Sequence, residues 1–138
     1  MDNVTLDAYL FFEGNCRPAM EFYKGIFGGQ LDVQTYDEVP AEMPGREQMK
    51  GKVIHARLAG GDVNLMASDT HDKTLGTGKI ELSVSGDDEA KLRKIFDGLS
   101  AGGKVSSPLK KEFWGDTFGS LTDKFGIGWM VNITAKKE

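Results

Sequence analysis

The spacing of apolar residues divides this chain into two runs of the same design. Residues 7–12 form a short apolar and aromatic strand-like segment, and Gly14-Asn15 then interrupts it before a helical pattern begins. Ala19, Phe22, Tyr23, Ile26 and Phe27 recur at i, i+3, i+4, i+7 and i+8, which places them on one helical face. Asn15 is the expected N-cap. Pro18 is tolerated because first-turn N–H groups have no helical partner, and Gly28-Gly29 supplies a left-handed stop. Three strand-like segments follow, at 30–36, 52–58 and 62–68, with Gly60-Gly61 as a hairpin signal between the last two.

The order then repeats. Residues 79–85 alternate polar and apolar, and Asp87-Asp88-Glu89 sets acids at the positive end of a helix whose Leu92, Ile95, Phe96 and Leu99 form the next stripe. Gly102-Gly103 ends this helix, and short strands are expected at 104–106, 117–123 and 128–134. The Gly-Gly stops at 28 and 102 lie 74 positions apart, and the first strands, from 7 and 79, start 72 apart. The chain therefore reads as a duplicated βαβββ unit, since solenoid repeats are shorter and need at least three copies. The expected architecture is α+β, with one module at about 5–68 and the other at about 79–134 of a single domain.

Period-two alternation assigns two faces to four of the strands. Val63, Leu65 and Ala67 oppose Asp62, Asn64, Met66 and Ser68; Ile54, Ala56 and Leu58 oppose Val53, His55 and Arg57. In the second module Ile80, Leu82 and Val84 oppose Lys79, Glu81, Ser83 and Ser85, while Trp129, Val131 and Ile133 oppose Gly128, Met130, Asn132 and Thr134. Each strand thus offers one apolar face to a helix and one face carrying polar groups. Trp129 is assigned to the helix-side core.

Composition narrows the function classes. At 138 residues, folding buries about 68–70% of the surface the unfolded chain exposes, so the fold needs neither metal nor disulfide to hold it. Seventeen Lys and Arg against 21 Asp and Glu leave a net charge of −4, and Lys110-Lys111 is too small for a phosphate-binding face, so no nucleic-acid partner is expected. The longest apolar run, residues 8–12, is far short of the roughly twenty residues a membrane helix needs, and the opening Met1-Asp2-Asn3 lacks a basic n-region. A single cysteine, Cys16, forms no internal disulfide, and the expected compartment is the reducing cytoplasm. The 18 glycines are about twice average usage and are dispersed as turn residues.

Little in the chain announces chemistry by spacing alone. His55 shares its strand face with Arg57, where a neutral imidazole can act as acid, base or hydrogen-bond donor. His71 lies in the polar connector Asp69-Thr70-His71-Asp72-Lys73. Cys16 stands at a helix start, where the dipole favours thiolate and burial opposes it. Tyr9, Phe11, Met66, Trp114 and Met130 are candidates to line an organic-ligand pocket, and Trp114, beside Gly115 in a loop, is the one least easily explained as core. Residues 37–51, with two prolines, two glycines and two methionines, read either as a loop able to cover such a pocket or as a mobile segment at a dimer edge.

Longer motifs carry a family resemblance. The run from Phe113-Trp114-Gly115-Asp116-Thr117-Phe118-Gly119-Ser120 through Gly126-Ile127-Gly128-Trp129-Met130-Val131-Asn132 resembles the closing segment of the PhnB-like (YjdN-like) branch of the vicinal oxygen chelate superfamily, also called the glyoxalase/bleomycin resistance/dioxygenase superfamily. Tyr9-Leu10-Phe11-Phe12-Glu13-Gly14-Asn15-Cys16, Ala19-Met20-Glu21-Phe22-Tyr23-Lys24 and Val53-Ile54-His55-Ala56 match as well. The resemblance implies paired βαβββ modules with curved mixed sheets forming a cup, helices packed outside, usually in a homodimer. Metal-dependent members place His or Glu at four inward positions; matching this chain to that pattern puts Ala8, Asn64, Lys79 and Met130 there, none of them a usual zinc or nickel ligand. A slip of one or two residues brings in Asp7 or Glu81 and still no histidine.

The reading that follows is a small-molecule-binding member without the usual metal centre. Its expected ligand contacts are Tyr9, Asn64, Met66, Glu81, Trp114, Met130 and Asn132, with His55 and Arg57 as the residues for any proton movement and charge stabilisation. The alternative is a lyase, isomerase or dioxygenase acting on a small oxygenated substrate, with or without a divalent metal. A third class is an interaction protein whose cup is vestigial. The branch also carries a ubiquinone-methyltransferase description, against which stands the lack of a glycine-rich nucleotide loop after a first strand or of room for such a domain.

Overall fold

The computed structural model describes residues 6–38, 40, 47–70 and 80–135. They form two compact units, divided between Thr70 and Ile80. In the first, β1 (Ala8–Phe12) leads into α1 (Cys16–Phe27), β2 (Gln30–Thr35), a 3-10 turn at Tyr36–Glu38, β3 (Val53–Ala59) and β4 (Leu65–Asp69). The second runs β5 (Leu82–Gly86), α2 (Glu89–Ser100), β6 (Lys104–Lys111), β7 (Thr117–Thr122) and β8 (Gly128–Ile133). Each is βαβββ, and the strand orders are equivalent: β1-β4-β3-β2 and β5-β8-β7-β6. The first and last strands of each unit pair in parallel, with Tyr9 opposite Met66 and Ser83 opposite Met130, while the other pairs are antiparallel. The α+β class and the internal repeat read from periodicity are therefore the observed architecture.

In the first unit α1 buries Cys16, Ala19, Met20, Tyr23 and Phe27, and the sheet contributes Leu10, Phe12, Ala56, Leu58, Leu65 and Ala67 to the same core. This stripe is rotated from the expected one, with Phe22 and Ile26 only half-buried. The helix start is held from β4. Asn15 occupies the N-cap position but its side chain caps nothing; the Asp69 carboxylate takes over, accepting from the Gly14 and Cys16 N–H groups at 2.9 Å each through Oδ1 and from the Val53 N–H at 2.9 Å through Oδ2. Asp69 thus ends β4 at 4% exposure instead of opening a polar connector. Val53, assigned by alternation to the polar face, is buried because the β2–β3 register shifts at Gln34/Thr35.

In the second unit α2 buries the predicted stripe, Leu92, Ile95, Phe96 and Leu99, worth about 1.5–3 kcal/mol per side chain. Asp88 caps it, accepting from the Lys91 N–H at 3.2 Å. Trp129 is core as expected, and its Nε1–H donates to the Asp123 Oδ2 at 2.9 Å. Asp123 is not the last residue of a strand: β7 stops at Thr122, and Asp123 Oδ1 accepts from the Phe125 and Ile127 N–H groups to close the turn into β8. Gly119 gives the Phe96 ring its place, since a Cβ there would fall 2.8 Å from that ring.

Several boundaries move from the expected ones. β6 extends to Lys111, past Pro108, because it is an edge strand whose pairing with β7 shifts register between Val105 and Lys110. Residues 60–64 form the β3–β4 connection, so Gly60-Gly61 is not a two-residue hairpin and β4 starts only at Leu65. A Cβ on Gly61 would lie 2.6 Å from the Phe27 carbonyl oxygen, so this pair is there to let the end of α1 pack against the connection. β5 starts at Leu82, leaving Ile80 at 82% exposure outside the core. His71 and Lys79 lie outside the described residues, as do 39 and 41–46 of the expected covering loop; Met49, within that loop, is buried.

Candidate functional site

The helix packs on one face of the first sheet, and the other face carries the polar set. Strand register aligns Tyr9, Met66, Arg57 and Asp32 in one row across β1, β4, β3 and β2, and sets His55 opposite Gln34. Tyr9 and Phe11 are 38% and 48% exposed, with ring centroids 5.0 Å apart. The Tyr9 hydroxyl lies 3.4 Å from His55 Nδ1, and the two rings are 5.9 Å apart. Of the expected residues, Tyr9, His55, Arg57 and Met66 therefore share one surface. Among the described residues Arg57 makes no hydrogen bond or ion pair, and it borders an open depression of about 520 Å³ with Gly29, Gln30, Asp32, Ala59 and Gly60. Asp32 and Gln34 join this surface from β2, where Gln30, Asp32 and Gln34 alternate with Leu31, Val33 and Thr35.

Asn64 is exposed just before β4 and is not part of the strand. In the second unit Ser83, Met130 and Ser120 align in one row and Ser85, Asn132 and Phe118 in the next. Asn132 Nδ2 donates to Asp116 Oδ2 at 3.1 Å, while Asp116 Oδ1 accepts from the Ala135 N–H at 3.1 Å, so the amide is held in place. Glu81 precedes β5, and its carboxylate approaches the start of β8, where a Cβ on Gly128 would be 3.1 Å from Oε2. Trp114 sits in the turn closed by the Glu112 N–H to Asp116 carbonyl bond, 53% exposed and edge-on to Phe113 at 5.0 Å.

The superfamily metal does not fit these residues. Ala8 has no donor, Met130 offers a thioether, Asn64 an amide and Lys79 an ammonium, where zinc or nickel takes imidazole or carboxylate. Among the described residues no three His, Cys, Asp or Glu side chains come together in an arrangement able to hold a metal ion. Cys16 offers no nucleophile either. It is fully buried, and burial, with the nearby Asp69 carboxylate adding to it, pushes the thiol from 9.0 up to about 12. The expected pull of the helix dipole toward thiolate is overruled by these two effects.

Two βαβββ units, each a mixed sheet of order 1-4-3-2 with a helix on one face, define the fold of the glyoxalase/bleomycin resistance/dioxygenase superfamily, whose solved members share it even at low identity. The chain belongs to the PhnB-like branch of that superfamily, and the family model that matches it, over residues 5–132, is described as 3-demethylubiquinone-9 3-methyltransferase. Protein YjdN of Escherichia coli is 29% identical over 145 residues, spanning 97% of this chain and 98% of its own. The crystal structure of PA1353 from Pseudomonas aeruginosa superposes with a TM-score of 0.82 at 35% identity, covering 97% of this chain and 100% of that one. For a PhnB protein from Bacillus cereus the TM-score is 0.75 at 26% identity, with 95% and 100% covered. No helix among the described residues is long and apolar enough to cross a membrane.

Proposed function

We propose that the protein binds a small organic molecule on the helix-free sheet faces and does so without the superfamily's usual metal centre, as a cytoplasmic homodimer. The observation that carries this reading is the first of those faces. Tyr9 and Phe11 stay substantially open to solvent beside His55, Arg57 and Met66, a grouping of rings, thioether and polar heads typical of organic-ligand sites. Met130, Asn132, Asn64, Glu81 and Trp114 are assigned as further contacts. Native mass spectrometry of freshly purified protein is the test: a dimer mass with no stoichiometric metal, and a co-purified or added small molecule, is expected. A full metal equivalent that survives dialysis refutes the metal-free reading, and a dimer stabilised by no member of a broad ligand library favours an interaction protein instead.

The Tyr9–His55 contact supports a second reading, a metal-free lyase or isomerase. A hydroxyl bonded to Nδ1 leaves Nε2 for proton transfer to a substrate carbon or oxygen, with Arg57 near enough on the same face to stabilise negative charge. His55→Ala must then abolish any turnover detected; unchanged turnover refutes it. The methyltransferase description of the family would require S-adenosylmethionine binding, which the same native spectra report.

A further inference from the structure

The first sheet face also specifies what kind of molecule it takes, an inference that rests on the small-molecule reading above. We propose that the ligand is a flat aromatic or conjugated carboxylate, its ring on Tyr9 and Met66 and its anionic head on Arg57. Tyr9 and Arg57 are both register partners of Met66, from opposite sides. They stand two strand spacings apart, about 10 Å between backbones, which is the span of a bicyclic ring plus its carboxylate. Met66 forms the floor between them, where a thioether packs favourably against a ring. Arg57 is exposed and makes no ion pair or hydrogen bond among the described residues, so its fork is free for bidentate binding of a carboxylate. The acid facing it, Asp32, lies on the far strand, beyond Arg57 from Tyr9. Its Oδ1 accepts from Gln30 Nε2 at 3.3 Å. An anion therefore enters from the aromatic side, away from the like charge, and Asp32 opposes its binding without blocking the position.

The test is calorimetric titration of the whole protein with 2-naphthoate and with 2-naphthamide, which share a shape and differ in charge. Wild-type protein is expected to bind the carboxylate at least about ten-fold more tightly than the amide. Arg57→Ala removes that preference, and Asp32→Asn widens it. Both side chains are exposed, and circular dichroism verifies that the variants fold. Equal affinity for the two probes, or a preference that survives Arg57→Ala, overturns the anion anchor while the small-molecule reading stands. Absence of binding by both also overturns the inference, and the native mass measurement then decides separately whether the broader reading survives.

Discussion

Asp69 offers the most direct check on how the first unit is held together. Its carboxylate satisfies three backbone N–H groups from two separate places in the chain: Gly14 and Cys16 at the β1–α1 junction, and Val53 at the start of β3. Asp69→Ala leaves all three without their acceptor, in a site where Cys16 and Val53 are no more than 2% exposed. Each buried donor left unpaired costs about 1–3 kcal/mol, so Cys16 and Val53 together bracket about 2–6 kcal/mol, and the Gly14 N–H, partly open to solvent, adds less. Removing the carboxylate also returns the cost of keeping a charge out of water, which places the net loss toward the lower end, about 2–4 kcal/mol. That is a large part of the roughly 5–15 kcal/mol that stabilises an ordinary domain. Asp69→Asn keeps Oδ1 for Gly14 and Cys16 but turns an N–H₂ toward the Val53 N–H, and so loses about half as much. Urea unfolding followed by far-ultraviolet circular dichroism measures both variants. A loss below about 1 kcal/mol for Asp69→Ala would refute the argument, because it would mean that water or local rearrangement satisfies the three donors as well as the carboxylate does.

Three other perturbations test the packing and the titration. The unfolded chain releases the Cys16 proton near its ordinary value while the folded protein holds it to about 12, so this group's stabilisation is complete below about pH 9 and fades by about 1.4 kcal/mol per pH unit above it. Between pH 8 and 10.5 wild-type protein should accordingly lose about 2 kcal/mol more stability than Cys16→Ala, and parallel losses would contradict the burial argument. Gly119→Ala drives a methyl group to 2.8 Å from the Phe96 ring and 3.0 Å from the Ser107 carbonyl oxygen, a cost of about 1–3 kcal/mol in urea unfolding. Trp129→Phe removes the Nε1–H bond to Asp123 along with core volume, and about 2–4 kcal/mol is expected; a value near zero would show that the bond is dispensable.

The polar face of the first sheet is partly legible in the sequence. Strict alternation through residues 53–58 and 62–68 put His55, Arg57 and Met66 on one side, and they are there. Asn64 lies just before β4 and not within it, because the ladder begins at Leu65 and the alternation of 62–68 runs past its first paired residue. Asp32 carries no signal of its own in the sequence, because its partner Arg57 lies across strands and cross-strand partners are not visible in a single run of residues. Trp114 lies in a loop, as its neighbour Gly115 signals in the sequence, and Gly115 takes a φ of 103° there.

Local patterning determined the architecture of this protein: two helical stripes, strands of period two and paired glycine stops repeat in the same order, and those periodicities admit few arrangements other than duplicated βαβββ units. Only the tertiary structure decided the fate of the polar residues at element ends. Asp69, in a string of polar residues, and Asp123, beside a glycine-rich turn, look solvent-exposed in sequence, yet each is buried where backbone donors from distant or turning segments converge. A buried carboxylate is tolerable only when such donors surround it, and donors of this kind belong to the folded backbone, whose positions no residue type announces.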